Sequence, residues 1–102
     1  MIEIMNLHNV KASKPYDVHV CRPHILGNPF LLDRTRNSRN KVCDQYARWL
    51  HDEVDKLSPR YHELERIRQI YKKHGRLRLF CWCAPLRCHA ETIRDYLTGI
   101  VE

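Results

Sequence analysis

Three cysteines and a histidine lie close together near the end of the chain, at Cys81, Cys83, Cys88 and His89. The chain contains five cysteines in total, and an odd number does not suit a secreted disulfide framework. In a reducing compartment, clustered thiols bind a metal ion or perform chemistry more often than they pair with one another. We therefore expect the fold to bring these four side chains close enough together to form one site.

The spacing within this cluster is typical of a metal site. If the preceding strand continues through Cys81 and Cys83, the single residue between them places both thiols on the same side. A proline two residues later forces a turn, which returns Cys88 and His89 over the end of the strand. Thiolates with one imidazole are a common structural ligand set for zinc. The pattern therefore predicts zinc bound by Cys81, Cys83, Cys88 and His89.

The fourth ligand and the chemistry of the cluster stay open. Because adjacent residues seldom bind the same ion, His24 is a substitute for His89 if its loop lies nearby. A second interpretation makes Cys88 a catalytic nucleophile, because the start of a helix favours the thiolate form. A third is that the cysteines are small buried apolar residues, as free cysteines often are.

Hydrophobic periodicity predicts both strands and helices. The predicted strands cover about residues 2–7, 16–21 and 76–82, and the predicted helices cover about 38–57, 59–74 and 88–97. Pro59 suits the first turn of the second helix, and Gly75 is expected to end it. Residues 22–30 contain two prolines, a glycine and an asparagine, which predicts an ordered loop.

These elements predict a small α/β or α+β domain with a few-stranded sheet and about three helices, stapled by zinc at the last strand-to-helix turn. A chain of 102 residues has room for one compact domain, so residues 1–102 are expected to form a single domain. Residues 76–82 are apolar on both faces, which indicates an interior strand. Ligands gather at the carboxyl ends of strands, so the 22–30 loop and the 81–89 segment are expected to face each other.

The chain is basic, with a formal charge of +6 and a pI near 9.3. Arg66, Lys72, Lys73 and Arg76 crowd the end of the second predicted helix, where they would attract nucleic acid. Cations at a helix C-terminus also complement its dipole, which is the alternative reading of the same residues. No apolar run is long enough to cross a membrane and the N-terminus does not resemble a signal peptide, so we expect a cytoplasmic protein.

Two segments resemble a known family. Arg22-Pro23 with Leu26-Gly27-Asn28-Pro29-Phe30, and Cys81-Trp82-Cys83-Ala84-Pro85-Leu86 with Cys88-His89, resemble the bacterial and phage family known as domain of unknown function 4326. The resemblance covers about residues 16–98. It implies that one functional cluster is formed by Arg22, Asn28, Cys81, Cys83, Cys88 and His89. Cys21 departs from the pattern, since relatives tend to have glycine there.

Two functions follow from these features. In the first, the chain is a small basic zinc-binding interaction protein without catalytic activity, in which zinc adds the stability that a small core lacks. Because the family resemblance extends to phages, this protein would act in the host cytoplasm as an inhibitor of a nucleic-acid-processing or defence complex, such as an RNA-guided nuclease. In the alternative, the chain is a small enzyme acting on a nucleotide-like or phosphorylated substrate. Arg22 and Asn28 then orient the substrate, and Cys88 or a metal-bound water performs the chemistry.

Overall fold

The structure, a computed structural model, describes residues 1–30, 38–82 and 86–99. In chain order these residues form β1 (Ile2–Asn6), β2 (Asp17–His19), α1 (Ser38–Asp55), α2 (Pro59–His74), β3 (Leu77–Cys81) and α3 (His89–Thr98). The fold is therefore a small α/β domain with three helices and a three-stranded sheet, as predicted in outline. None of the described helices is long and apolar enough to cross a membrane.

The sheet has the order β1-β3-β2, and both strand pairs are parallel. Ile2 lies opposite Leu77, and Val18 lies opposite Leu79. β3 lies between its two neighbours in the sheet, and α2 and α3 pack against it, so the strand is shielded from solvent, which accounts for its apolar sequence. Four of its five residues are buried. The prediction of an interior strand in this segment is confirmed.

Local sequence accounts for the bounds of α2. The Ser58 hydroxyl accepts a hydrogen bond from the backbone amide of Arg60, and Pro59 occupies the first turn, where its missing N–H costs nothing. Gly75 ends the helix with a φ of 71°, a left-handed conformation that glycine adopts without steric cost. The first helix ends at Asp55, slightly before the predicted bound, because the chain reverses at Leu57 with a φ of 53°.

The core lies between the sheet and the helices. Both α2 and α3 contact β3, α3 also contacts β1, and α1 packs on the other two helices. The largest fully buried side chains include Tyr46 from α1, Ile67 from α2, Phe80 from β3 and Ile93 from α3. Each of these elements therefore buries a large side chain.

Candidate functional site

The parallel sheet ends its three strands at one edge of the molecule. The chain leaves β1 at Leu7, leaves β2 at Val20 and leaves β3 at Trp82. Two adjoining cavities open at this edge, a larger one of about 650 Å³ and a smaller one of about 170 Å³. In parallel sheets, ligands bind in crevices at the carboxyl ends of the strands. This edge is therefore the candidate functional site.

Polar contacts from all three helices hold the 21–30 loop beside this edge. From α3, the His89 Nε2–H donates at 2.6 Å to the carbonyl oxygen of Val20, the residue just before the loop. From α1, the Tyr46 hydroxyl donates to the carbonyl oxygen of Leu26 at 2.7 Å. From α2, a carboxylate oxygen of Glu63 lies 2.8 Å from the imidazole of His24. The loop is thus fixed by the core rather than by its own sequence alone.

Close packing within the loop explains the glycine of the Arg22-to-Phe30 motif. A Cβ atom added to Gly27 would lie 2.9 Å from the Arg22 Cγ, the Arg22 nitrogen and the carbonyl oxygen of His24. Any side chain at this position would therefore displace Arg22. At the next residue, the Asn28 Oδ1 accepts the backbone N–H of Phe30 at 2.8 Å, which leaves the side-chain amide nitrogen as a donor at the smaller cavity.

Arginine side chains dominate the polar lining of the smaller cavity. The Arg87 guanidinium forms an ion pair with Asp44 at 2.8 Å, and the Arg39 guanidinium donates to the carbonyl oxygen of Arg87 at 3.1 Å. The Arg22 guanidinium has no such partner among the described residues. None of the described residues that line the smaller cavity is acidic. These residues are Cys21, Arg22, Asn28, Phe30, Arg39, Val42, Cys43, Cys81, Trp82, Arg87, Cys88 and His89. The cavity is therefore suited to an anion.

Two thiols meet at the floor of this cavity. The Sγ atoms of Cys81, at the end of β3, and Cys88, at the N-cap of α3, lie 3.3 Å apart, and both residues are buried. This distance is longer than a disulfide bond and short enough for both sulfurs to bind one ion. Cys21 and Cys43 also line the cavity. Cys43, on α1, is also buried.

The Nε2 of His89 contacts a backbone carbonyl oxygen and not these thiols. Since a carbonyl oxygen only accepts hydrogen bonds, the contact with Val20 assigns the proton to Nε2 and leaves Nδ1 as the acceptor nitrogen. Burial lowers the pKa of the His89 imidazole below its ordinary value, which favours this neutral form. Histidines that bind zinc commonly donate their second ring N–H to a carbonyl in this way.

The predicted zinc site is only partly within the described residues. Cys81 and Cys88 come together, whereas Cys83 belongs to residues 83–85 and lies outside the described ranges. Within residues 1–30, 38–82 and 86–99, no group of three or more potential ligands is arranged to hold a metal ion. The ring nitrogens of His24, the substitute ligand, contact Glu63 and the backbone N–H of Leu26. Zinc binding therefore stays a prediction.

The basic residues predicted to bind a partner are scattered. Arg66 forms an ion pair with Glu63, and Arg76 forms one with Glu3. Lys72 and Lys73 are exposed in the last turn of α2, where they complement the helix dipole. None of the four predicted positions lines either cavity, whereas Arg22 and Asn28, the other predicted binding residues, do.

Sequence reasoning did not assign Arg39, Arg87 or Trp82 to the site. The two arginines come from the starts of α1 and α3, which are far apart along the chain. Trp82 lies between two cysteines in the motif. Successive side chains of an extended strand point to opposite faces, and this alternation could have predicted that the Trp82 side chain points away from that of the buried Cys81. Trp82 is 52% exposed and lines both cavities.

A family model described as Domain of unknown function (DUF4326) matches residues 5–99. The match includes both segments on which the resemblance was based, and it confirms that resemblance. No curated protein and no solved structure matches the chain.

Proposed function

The chain belongs to the family of domain of unknown function 4326, and we propose that it is a small enzyme that acts on a phosphorylated, nucleotide-like substrate. The observation that carries this proposal is the Arg22 guanidinium, which lines the smaller cavity without a counterion among the described residues. A guanidinium matches the geometry of a phosphoryl group, to which it donates two parallel hydrogen bonds.

The rest of the smaller cavity supports the same ligand chemistry. Its volume of about 170 Å³ is below the range of about 300–1,000 Å³ for complete small-molecule sites, so it suits a compact group such as phosphate. Arg39, Arg87 and the amide nitrogen of Asn28 supply further donors. Asp44 neutralises Arg87 in part, whereas Arg22 and Arg39 have no carboxylate partner among the described residues and supply the positive charge for the ligand.

The thiols supply the reactive groups in this proposal. Cys88 is the N-cap of α3 and lines the cavity, so the helix N-terminus would stabilise its thiolate as the candidate nucleophile beside a phosphate held by Arg22. The alternative chemistry uses a metal ion held by Cys81 and Cys88, which would supply an activated water. Measurement of bound metal in the purified protein separates the two.

Calorimetric titration with ribose 5-phosphate tests the phosphate site. The wild type is expected to bind this probe, and Arg22→Ala is expected to weaken binding by about tenfold or more, since a charge-assisted hydrogen bond contributes about 1.5–3 kcal/mol. The matched control is Arg48→Ala, which removes the same charge from an exposed position of α1 that lines neither cavity. Equal affinities of the wild type and the Arg22 variant would contradict the proposal.

Alkylation tests the role of the thiol. Bound ribose 5-phosphate is expected to slow the reaction of Cys88 with iodoacetamide, measured by peptide mass spectrometry, because the thiol and the phosphate would share one cavity of about 170 Å³. An alkylation rate that is unchanged at saturating probe would remove Cys88 from the site while leaving the phosphate contact intact.

The distance between Cys81 and Cys88 also favours a second candidate function, the zinc-stapled interaction protein. In that function zinc stabilises the turn between β3 and α3, and the exposed Lys72 and Lys73 contact a host protein or nucleoprotein complex. A structural zinc site has four protein ligands and contributes directly to folding. Elemental analysis of the purified chain tests it, and a protein that is folded without zinc would contradict it.

A further inference from the structure

We propose that the larger cavity binds the base of a nucleoside monophosphate, stacked on Trp82, while Arg22 holds the phosphate in the smaller cavity. This inference rests on the proposed function and specifies its substrate class. It assigns a role to a cavity of about 650 Å³ that the phosphate contact leaves unused.

The two cavities form one continuous site. Both are lined by Cys21, Arg22 and Trp82, so these residues stand at their junction. A volume of about 650 Å³ lies within the range of about 300–1,000 Å³ that is typical of small-molecule sites. A ligand with a compact anionic end and a larger neutral end would therefore place its phosphate in the smaller cavity and its remaining part in the larger one.

The indole of Trp82 is the flat surface of the larger cavity. Its side chain is 52% exposed, which is unusual for a large aromatic residue that adjoins the core. The imidazole of His8 lies beside it, with ring centroids 4.7 Å apart and a tilt of 59° between the planes. Any nucleobase can stack on an exposed aromatic side chain, because every base has a π-face.

Residues 7–12 line the larger cavity, and hydrogen bonds fix both ends of the 7–16 connection that contains them. At the start of the 7–16 connection, the Asn6 side chain accepts the backbone N–H of His8 at 2.8 Å and donates to the carbonyl oxygen of Trp82 at 3.4 Å. At its end, the Asp17 carboxylate accepts the backbone N–H groups of Ser13 and Lys14, each at 2.8 Å. These hydrogen bonds hold the 7–16 connection in place without a ligand, which reduces the entropy cost of binding.

The charge of the larger cavity agrees with an anionic ligand. Among the residues that the structure describes, its lining contains Lys11 and Arg22 but no aspartate or glutamate. The Glu63 carboxylate approaches from α2, but it is engaged by Arg66 and His24. Apolar side chains such as Leu7 and Val10 supply the remaining wall, which suits the body of a purine or pyrimidine.

Calorimetry with three classes of probe tests the base site. The probes are the nucleoside monophosphates AMP, GMP, CMP and UMP, the base-free phosphate ribose 5-phosphate, and the phosphate-free nucleoside adenosine. At least one monophosphate is expected to bind the wild type about tenfold or more tightly than ribose 5-phosphate does, as expected for one base stacked on one aromatic ring.

Variants at Trp82 assign the gain to the indole. Trp82→Ala is expected to abolish the advantage of the monophosphate over ribose 5-phosphate, whereas Trp82→Phe retains a flat ring and most of the advantage. Because Trp82 is half exposed, neither change is expected to prevent folding, and circular dichroism melts check this. Leu57→Ala is the matched control, since it shortens an exposed apolar side chain that lines neither cavity.

The outcomes distinguish this inference from the proposed function. If ribose 5-phosphate binds through Arg22 as tightly as every monophosphate does, the base site is overturned and the phosphate site stands. An advantage that persists in Trp82→Ala also overturns it. If neither class of phosphate binds, the proposed function fails, and the base site survives only if adenosine binds and Trp82→Ala removes that binding.

Discussion

The Tyr46 hydroxyl donates a hydrogen bond of 2.7 Å to the carbonyl oxygen of Leu26, and neither side chain is accessible to solvent. This contact joins the middle of α1 to the loop that carries Arg22. The conformation of the candidate site therefore depends on a polar group in the core, and a change in the core is expected to affect both stability and ligand binding.

Tyr46→Phe tests this dependence. The substitution keeps the ring and leaves the buried carbonyl of Leu26 without its donor, so the free energy of unfolding is expected to fall by about 1–3 kcal/mol. Urea unfolding followed by circular dichroism measures the change. Tyr61→Phe is the control, because the Tyr61 hydroxyl makes no hydrogen bond with the described residues, and its expected effect is below about 0.5 kcal/mol. Equal effects of the two substitutions would contradict the prediction.

Gly27→Ala is expected to weaken binding of ribose 5-phosphate, because the added Cβ lies 2.9 Å from the Arg22 backbone nitrogen and has to displace it. Calorimetric titration measures the loss. Gly75→Ala is the contrasting variant, since its Cβ meets no atom within 4 Å but its φ is 71°. It is expected to lower the free energy of unfolding by about 1 kcal/mol through backbone strain and to leave the affinity unchanged. Unaltered affinity in Gly27→Ala would show that the loop tolerates a shift of Arg22.

Asp17 gives the protein a predictable sensitivity to acid. The Arg78 guanidinium donates to both of its carboxylate oxygens, at 2.6 and 2.9 Å, and holds the pKa of Asp17 at about 2 instead of 3.8. Because the folded-state pKa is lower than the unfolded-state value, the stabilisation is complete above about pH 5 and is lost as the pH falls towards 2. It amounts to about 2 kcal/mol.

Asp17→Asn is therefore expected to lower the free energy of unfolding by about 2 kcal/mol at pH 7 and to flatten its pH dependence between about pH 5 and pH 2. Urea unfolding at a series of pH values measures both effects. Asp55→Asn removes an exposed carboxylate from the end of α1 and is expected to change the stability by less than about 1 kcal/mol. A variant that keeps the wild-type slope below pH 5 would show that another carboxylate is responsible.

Metal analysis tests the zinc prediction. In the zinc-stapled candidate function, purified protein is expected to carry about one zinc ion per chain and to melt at a lower temperature after chelation, because metal binding and folding are coupled, whereas a Cys88 nucleophile requires a metal-free thiol. Cys81→Ser, Cys88→Ala and His89→Ala are each expected to reduce the zinc content. Cys43→Ala is the control and is expected to retain the ion, since Cys43 is not among the predicted ligands. Absence of metal from a wild type whose variants also fold would end the zinc hypothesis.

Local signals in the sequence were sufficient for several elements. Ser58, Pro59 and Gly75 define α2 by hydrogen bonding and backbone geometry that involve only their neighbours. The apolar faces of β3 likewise indicated an interior strand. Such features are predictable because their causes lie within a few residues of the element itself.

The candidate site was less predictable because its contacts join distant parts of the chain. His89 was predicted as the fourth ligand from its place in the cluster, and nothing near it in sequence indicated that its Nε2–H is directed to Val20 on another strand end. His24 similarly contacts Glu63 on α2. Arg66 and Arg76 each form an ion pair with a carboxylate that the sequence pattern did not indicate, and their predicted role in partner binding stays a prediction.

The central position of β3 also determines when the sheet can form. β1 pairs with residues 77–81 and β2 with residues 78–80, whereas β1 and β2 do not pair with each other in the described sheet. During synthesis, both edge strands therefore leave the ribosome without a partner and can pair only after β3 has been made. Contacts this distant in sequence are slow to close. A nascent chain that stalls before Leu77 would present two unpaired strands, which makes it a substrate for chaperones or for aggregation.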